Sequence, residues 1–435
     1  MKLSSLQLEN YRCFTEFKLT FDKQLTVLVG INGSGKTAVL DAVAVFLKHY
    51  AENYCHYPDI SSMPETDIHF DKDMANLVFT AENFQKNINE NIPLKISFTA
   101  KKIMGNPIAE IKYINEANKH VFDIVKDENH QRIIVCYYSA KRFVENIKKN
   151  TSASNKLIDA YSNAFSAKID FSATLSWFIE KSVQEALKRD RTKQPYNIPE
   201  VTAVKDALVT ALKDYNEPYV DNTPLELFVT HKKAPNVPIS LVQLSDGYRT
   251  MLALVMDLAR RMAVANDNEK CSDAQNVLHR PGIVLIDEVE LHLHPAWQQT
   301  LLPTLMQIFP LVQFIVTTHS PQVVSSVETK HIRILGNDDK VYNAPQGTWG
   351  AEASRILKQV FGVDNRPPSK ARDDLDEYRN LVYNDKWDTQ RALQLRDLLD
   401  ERYGDQEPEL VELDIHIENR NWEKGEKGSL YEKNK

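Results

Sequence analysis

Leu25, Val27, Leu28 and Val29 form an apolar run that stops at Gly30, the pattern of a buried strand entering a tight loop. Beyond the loop, Val39, Leu40, Val43 and Leu47 share one face of a helix expected over 38–47. Upstream, Leu6 and Leu8, then Phe17, Leu19 and Phe21, alternate with polar positions. They predict two antiparallel strands laid beside the Leu25 strand, with Asn10 to Phe14 at their turn.

Further strands are expected at 94–99, 108–113, 121–125 and 133–138, making an antiparallel or mixed β lobe. Leu157, Ile158, Tyr161 and Phe165 then recur at helical spacing, as do Leu175, Phe178, Ile179, Val183 and Leu187. A third helix is expected from Glu200 to Lys213, so this block reads as a helical insertion without coiled-coil heptads. Short strands at 225–229 and 239–242 precede an apolar helix over 250–264. Buried strands follow at 283–288 and 313–318, and 332–335 and 341–343 close the sheet. From Trp349 the chain turns charged and helical, and its last fifteen residues, from Asn421, are expected to fray. The fold expected is α/β: a mixed sheet core with a phosphate-loop helix, an antiparallel β lobe, a helical insertion and a helical C-terminal region. The boundaries are set at 1–150, 151–235, 236–348 and 349–435.

Composition narrows the setting. At 435 residues, 42% hydrophobic and 26% charged, the chain reads as a soluble globular protein of more than one domain. Its net charge of −7 supplies no global basic field, so contact with nucleic acid would need a local patch. Cys13, Cys55, Cys136 and Cys271 are scattered without a CxxC pair, and no long apolar segment occurs. A reduced, cytoplasmic location without a membrane contact is expected.

The chemistry begins with Gly30-Ile-Asn-Gly-Ser-Gly-Lys36-Thr37, which fits G-x-x-x-x-G-K-[ST]. Strand, glycine loop and helix N-terminus in that order make a phosphate cradle, because backbone N–H groups point inward and the helix dipole favours an anion. The expected nucleotide contacts are Asn32, Gly33, Ser34, Gly35, Lys36, Thr37 and Ala38. Lys36 would reach the β- and γ-phosphates of ATP, and the Thr37 hydroxyl would ligate Mg²⁺. Three weaker signals follow in order: Leu244-Ser-Asp-Gly247, the apolar strand ending Asp287-Glu288, and Thr318-His319-Ser320. Arg12 can touch the adenine or a phosphate, or be a solvated turn charge, and Lys141 and Arg142 can each reach phosphate or be plain structural charges. Lys188 to Lys193 is the most basic run of the insertion, read as a solvated helix end favoured by the dipole, with a nucleic-acid contact as the alternative. Glu290-x-His292-x-His294 has metal-ligand spacing but no further ligands nearby in sequence.

Together the four motifs resemble an ABC-type ATPase of the SMC, RecF and OLD branch, with the resemblance specific over 1–50 and 240–345. It implies that Ser245 and Gly247 form the signature motif, reaching across a head-to-head dimer to the γ-phosphate held by Lys36 of the other copy. It implies that Asp287 holds Mg²⁺, that the catalytic pair is Glu288 acting on the attacking water and His319 sensing the γ-phosphate, and that Glu290 to Pro295 is a dimer-contacting loop. The glutamine loop has no firm place, with Gln85 and Gln131 as candidates. Within the branch, Tyr137-Tyr-Ser-Ala-Lys-Arg142, the insertion with Phe171 and Trp177, and the helical tail look like the PtuA-type ATPases of Septu antiphage systems and of some retrons. That likeness implies a separate HNH nuclease subunit (PtuB-like) as partner, since Leu335-Gly-Asn-Asp-Asp339 does not extend into a nuclease domain. Nucleic acid would be met through that complex. The alternative is a RecF-like DNA-repair ATPase that binds duplex DNA by itself.

Overall fold

β1 (Lys2–Tyr11) and β2 (Phe14–Thr20) form the expected antiparallel hairpin, turned at Asn10 and Arg12 with positive φ. The computed structural model describes residues 1–52, 54, 63–82, 94–103, 106–113, 132–144, 157–166, 168–169, 171–222, 225–265, 277–404 and 407–432. β3 (Leu25–Val29) leads through the phosphate loop into α1 (Lys36–Ala51). The hairpin does not lie in the sheet of β3, contrary to the expectation. It joins β4 (Met74–Glu82), β5 (Leu94–Ile103) and β6 (Asn106–Tyr113) in an antiparallel sheet ordered β2-β1-β4-β5-β6. The reason is visible in burial. β4 alternates buried and half-buried positions, whereas β3 is buried at every residue and needs cover on both faces.

β7 (Ile134–Tyr138) follows, then a two-residue parallel bridge of β8 (Phe143–Val144) with β9 (Lys168–Ile169). The insertion between and after them holds α2 (Ile158–Tyr161), α3 (Phe171–Thr192) and α4 (Pro199–Ala211). A three-stranded sheet comes next, ordered β10 (Tyr219–Asn222), β11 (Leu225–His231), β12 (Ala234–Ser240). β12 begins five residues earlier than the apolar pattern indicates. Pro235 and Pro238 hide it in the sequence, and its edge position tolerates them. The expected strand at 121–125, with Gln85 and Gln131, lies outside the described residues.

α5 (Asp246–Ala265) then returns the chain to the core, where β13 (Gly282–Ile286), β14 (Val312–Thr317), β15 (Ile332–Leu335) and β16 (Val341–Asn343) complete a six-stranded sheet. Its order is β16-β15-β3-β14-β13-β7, parallel except for the edge strand β16. The phosphate loop thus rises from a parallel core, with an antiparallel lobe built on the N-terminal hairpin. One polar residue ties the two sheets. Gln313 of β14 is fully buried, accepts the Leu3 N–H at 2.8 Å and donates to the Leu3 and Asp22 carbonyls at 2.8 Å each.

Met1–Gly362 form one compact unit and Val363–Lys435 a second. The second holds α10 (Lys370–Tyr383), α11 (Gln390–Tyr403) and α12 (Pro408–Glu432), after α6 (Pro295–Gln298), α7 (Leu301–Ile308), α8 (Pro321–Ser325) and α9 (Ala353–Gln359) of the first. Ser369 and Thr389 cap α10 and α11 through their hydroxyls, and Leu375, Val382, Leu395, Leu399, Leu410 and Leu413 make the small core. α12 reaches Glu432. Arg420 grips Asp385 bidentately at 3.0 and 2.8 Å, and the Lys424 ammonium lies 4.5 Å from the Trp387 ring centre. Among the described residues no helix is long and apolar enough to cross a membrane.

Candidate nucleotide site

The phosphate loop owes its shape to glycine. Gly33 and Gly35 adopt φ of 84° and 86°, a region that side chains disfavour. At Gly35 a Cβ would also strike the Phe14 ring and the Cys13 sulfur. Lys36 opens α1, and its ammonium donates to the Gly30 and Ile31 carbonyls at 2.9 Å each. The start of α1 has no side-chain cap and no acidic residue in its first turn, and the buried Ser34 hydroxyl has no partner among the described residues. A cation, an uncapped helix start and a free hydroxyl therefore converge on one loop. That donor set fits a polyphosphate.

Asp287 and Glu288 follow β13, and the parallel register sets their neighbours. Ile286 pairs with Val316, so Asp287 lies beside Thr317 at the end of β14. Buried Asp287 accepts hydroxyls on both oxygens, from Thr37 at 3.0 Å and from Thr317 at 2.6 Å. The Thr317 oxygen in turn accepts the Glu288 N–H at 2.7 Å. Glu288 adopts φ of 47°, which turns the chain sharply away from the strand. These oxygens match what Mg²⁺ takes, a threonine hydroxyl and one carboxylate beside a phosphate cradle.

Next in the turn, Glu290 accepts the Thr318 hydroxyl at 2.7 Å and the His319 N–H at 2.6 Å. Its carboxylate thus braces the end of β14, while His294 Nδ1 accepts the Ala296 N–H. Among the described residues no three His, Cys, Asp or Glu side chains gather as a metal site. Burial, reinforced by the Lys36 ammonium, pushes the His319 imidazole below its ordinary value, against the pull of Glu290, Glu288 and Asp287. Burial likewise lowers Lys36, opposed by Asp287, Glu288 and Glu290.

Ser245 and Gly247 stand apart from this network. Ser245 is exposed just before α5, and among the described residues no hydrogen bond joins either residue to Lys36 or Asp287. A Cβ at Gly247 would sit 3.1 Å from the His292 carbonyl, so the helix start packs on the loop after Glu290. Tyr248 meets the Trp297 ring edge-on at 4.5 Å between centres and fixes that contact.

Both arginines considered as phosphate contacts have other work. Arg12 pairs with Asp67 at 2.7 Å and Asp41 at 2.6 Å, at the rim of a cavity of about 310 Å³ that Tyr11, Lys48 and Tyr137 also line. Arg142 is buried and donates to the backbone carbonyls of Asp287 and Glu288, the latter at 2.8 Å. In the basic run, Arg189 pairs with Glu185 and Lys193 with Asp190. Thr317 was absent from the expected set. In-register pairing of the two buried strands, each ending in polar residues, is the signal that finds it.

Residues 25–325 match the family model described as "AAA domain, putative AbiEii toxin, Type IV TA system". The chain is similar to the Retron Ec83 probable ATPase of Escherichia coli, 30% identical over 97% of this chain and 88% of that protein. It is also similar to the Septu protein PtuA of Bacillus thuringiensis, 23% identical over 83% of this chain and 84% of that one. An SMC head bound to the C-terminal winged helix of ScpA superposes with a TM-score of 0.46 at 15% identity, covering 79% of this chain and 97% of that one. The chain belongs to this AAA-domain family, and within it to the ATPases of the retron and Septu group.

Proposed function

We propose that this chain hydrolyses ATP with Mg²⁺ at the phosphate loop, closes head-to-head on a second copy around the nucleotide, and thereby controls a separate HNH-type nuclease in antiphage defence. The observation that carries the hydrolytic part is the hydrogen-bonded chain from Thr37 through Asp287 and Thr317 to Glu288. In this reading Asn32 to Ala38 wrap the phosphates, and Lys36 leaves its loop carbonyls for the β- and γ-phosphate oxygens. Thr37 and Asp287 hold Mg²⁺, which when bound neutralises charge on those oxygens. Glu288 accepts a proton from the water whose oxygen attacks the γ-phosphorus, and ADP leaves with the bridging oxygen. His319, neutral at pH 7, hydrogen-bonds the γ-phosphate.

The exposed position of Ser245, outside the Lys36 network, supports a composite site in which Ser245 and Gly247 come from the second copy. The cavity beside Arg12 supports a place for the nucleotide base, since Asp41 on its wall lies one turn beyond Thr37 on α1. Similarity to a retron ATPase and to PtuA supports the defence role and the nuclease partner. Residues 1–150 and 236–348 would then be the head, 151–235 its insertion, and 349–435 the region that docks the partner. A tagged pull-down from the native cytoplasm, with mass spectrometry, tests the reading. A stoichiometric HNH nuclease is expected; DNA with repair factors would favour a RecF-like role instead.

A further inference from the structure

We propose that Arg142 is a positioning residue for hydrolysis, whose guanidinium clamps the backbone of the Asp287–Glu288 turn and so aims the Glu288 carboxylate. The proposal rests on Glu288 being the group that takes the proton from water.

Arg142 is 4% exposed, and among the described residues its terminal donors go to main-chain oxygens alone. One terminal nitrogen reaches the Asp287 carbonyl and, at 3.3 Å, that of Ser139. The other reaches the Glu288 carbonyl at 2.8 Å and lies 3.5 Å from that of Val289. Three successive carbonyls can face one planar cation only because Glu288 is left-handed, with φ of 47°. That conformation costs about 1 kcal/mol or more in a residue with a side chain.

The donors of the same turn are held from the opposite side. The Asp287 N–H bonds to the Tyr138 carbonyl at 2.9 Å, the Glu288 N–H to Thr317 Oγ1, and the Val289 N–H to the Thr317 carbonyl at 3.0 Å. β7 and β14 therefore grip the N–H side, while Arg142 grips the carbonyl side. The strands would hold their edges without Arg142. The left-handed residue is what needs the cation.

Core packing does not account for an arginine here. Its Nε has no partner among the described residues, and burying a guanidinium with an unmet donor is unfavourable compared with an apolar residue of similar size. Lysine would not reproduce the clamp, because an ammonium is a point donor and the three carbonyls span the width of a planar fork.

The test uses the full-length protein and the variants Arg142→Gln, Arg142→Lys, Glu288→Gln and Arg142→Gln/Glu288→Gln. Steady-state turnover, nucleotide Kd and Tm are measured on each. Arg142→Gln should lower kcat by roughly 10²-fold, as a misplaced reacting group does. Its nucleotide Kd should stay within about threefold of wild type, since only the transition state loses an interaction. Arg142→Lys should fall between the two. In the Glu288→Gln background the Arg142→Gln change should have almost no further effect, because the clamp has nothing left to aim.

A folded Arg142→Gln protein with wild-type kcat overturns the proposal. So does an equal loss of kcat with and without the Glu288 carboxylate, which would make Arg142 purely structural. If Arg142→Gln fails to fold, Arg142→Lys decides, and wild-type turnover there also overturns it. Should Glu288→Gln itself turn over normally, the role of Glu288 fails first and is recognised as the separate fault.

Discussion

The Thr37 hydroxyl donates to Asp287 Oδ2 at 3.0 Å, across 250 residues of sequence. Asp287 is 2% exposed, and in the proposed reaction both groups turn to Mg²⁺. Asp287→Asn keeps the size and one acceptor oxygen but removes the charge. Its kcat should fall by roughly 10²-fold or more, because charge stabilisation at the phosphates is lost. Rates at saturating ATP across a Mg²⁺ titration check this, and full turnover at ordinary Mg²⁺ would refute the assignment.

Glu288→Gln should still bind ATP yet hydrolyse it roughly 10²- to 10⁴-fold more slowly, since the proton acceptor is gone. The variant should accumulate as an ATP-bound dimer on size-exclusion chromatography with light scattering. Ser245→Arg, added to it, should abolish that dimer while leaving ATP affinity in the monomer intact. A normal dimer in the doubly substituted protein would end the composite-site reading.

The two loop glycines should respond differently to alanine. Gly33 and Gly35 share a left-handed φ, but a Cβ at Gly33 meets nothing within 4 Å, whereas one at Gly35 collides with Phe14 and Cys13. Gly33→Ala should cost about 1 kcal/mol of strain. Gly35→Ala adds a clash in a packed region and should cost about 2–4 kcal/mol, with loss of ATP binding. Urea unfolding and equilibrium nucleotide titration on both variants make the comparison.

Gln313→Leu should destabilise the first unit without touching the nucleotide site directly. It removes three hydrogen bonds to Leu3 and Asp22 in a dry interior and leaves backbone groups unpaired. A loss of about 2–4 kcal/mol is expected. Chemical denaturation reads it, and an unchanged midpoint would mean that the sheets are held together by apolar contact alone.

His319 should titrate below the ordinary histidine value of 6.5, because burial and the Lys36 ammonium both disfavour its charged form. A lowered value keeps the imidazole neutral at pH 7, and it charges only as pH falls through the lowered pKa. If neutral His319 is needed, turnover holds through 6.5 and declines only as pH falls through the lowered pKa. An NMR titration of the imidazole should show the value moving up in Lys36→Met. A wild-type value at or above 6.5 would contradict the arrangement.

Much of the site was legible in order along the chain, because its pieces are local. Gly33, Gly35, Lys36 and Thr37 are contiguous, and their glycine spacing speaks for the loop directly. Asp287 with Glu288, and His319, stand where buried apolar runs end, so each could be placed at the polar end of a core strand. Arg142 was different. It reads as a loose basic residue after a strand, and only the fold turns it onto the carbonyls of a turn 145 positions later. Pro235 and Pro238 hid β12, since an edge strand does not carry the apolar pattern of a core strand.

By itself the sequence determined what depends on neighbours along the chain. That includes the cradle built by glycine conformations, the fully apolar strands that must lie inside a covered sheet, and the helices of the insertion and the tail. The tertiary structure alone decided which strands share a sheet, that Gln313 ties Leu3 to the core, and that Thr37, Thr317 and Arg142 converge on Asp287 and Glu288. Those contacts follow from strand register and side-chain direction between segments far apart in sequence. No local pattern encodes them, because each partner is an ordinary residue until the sheet sets it opposite the other.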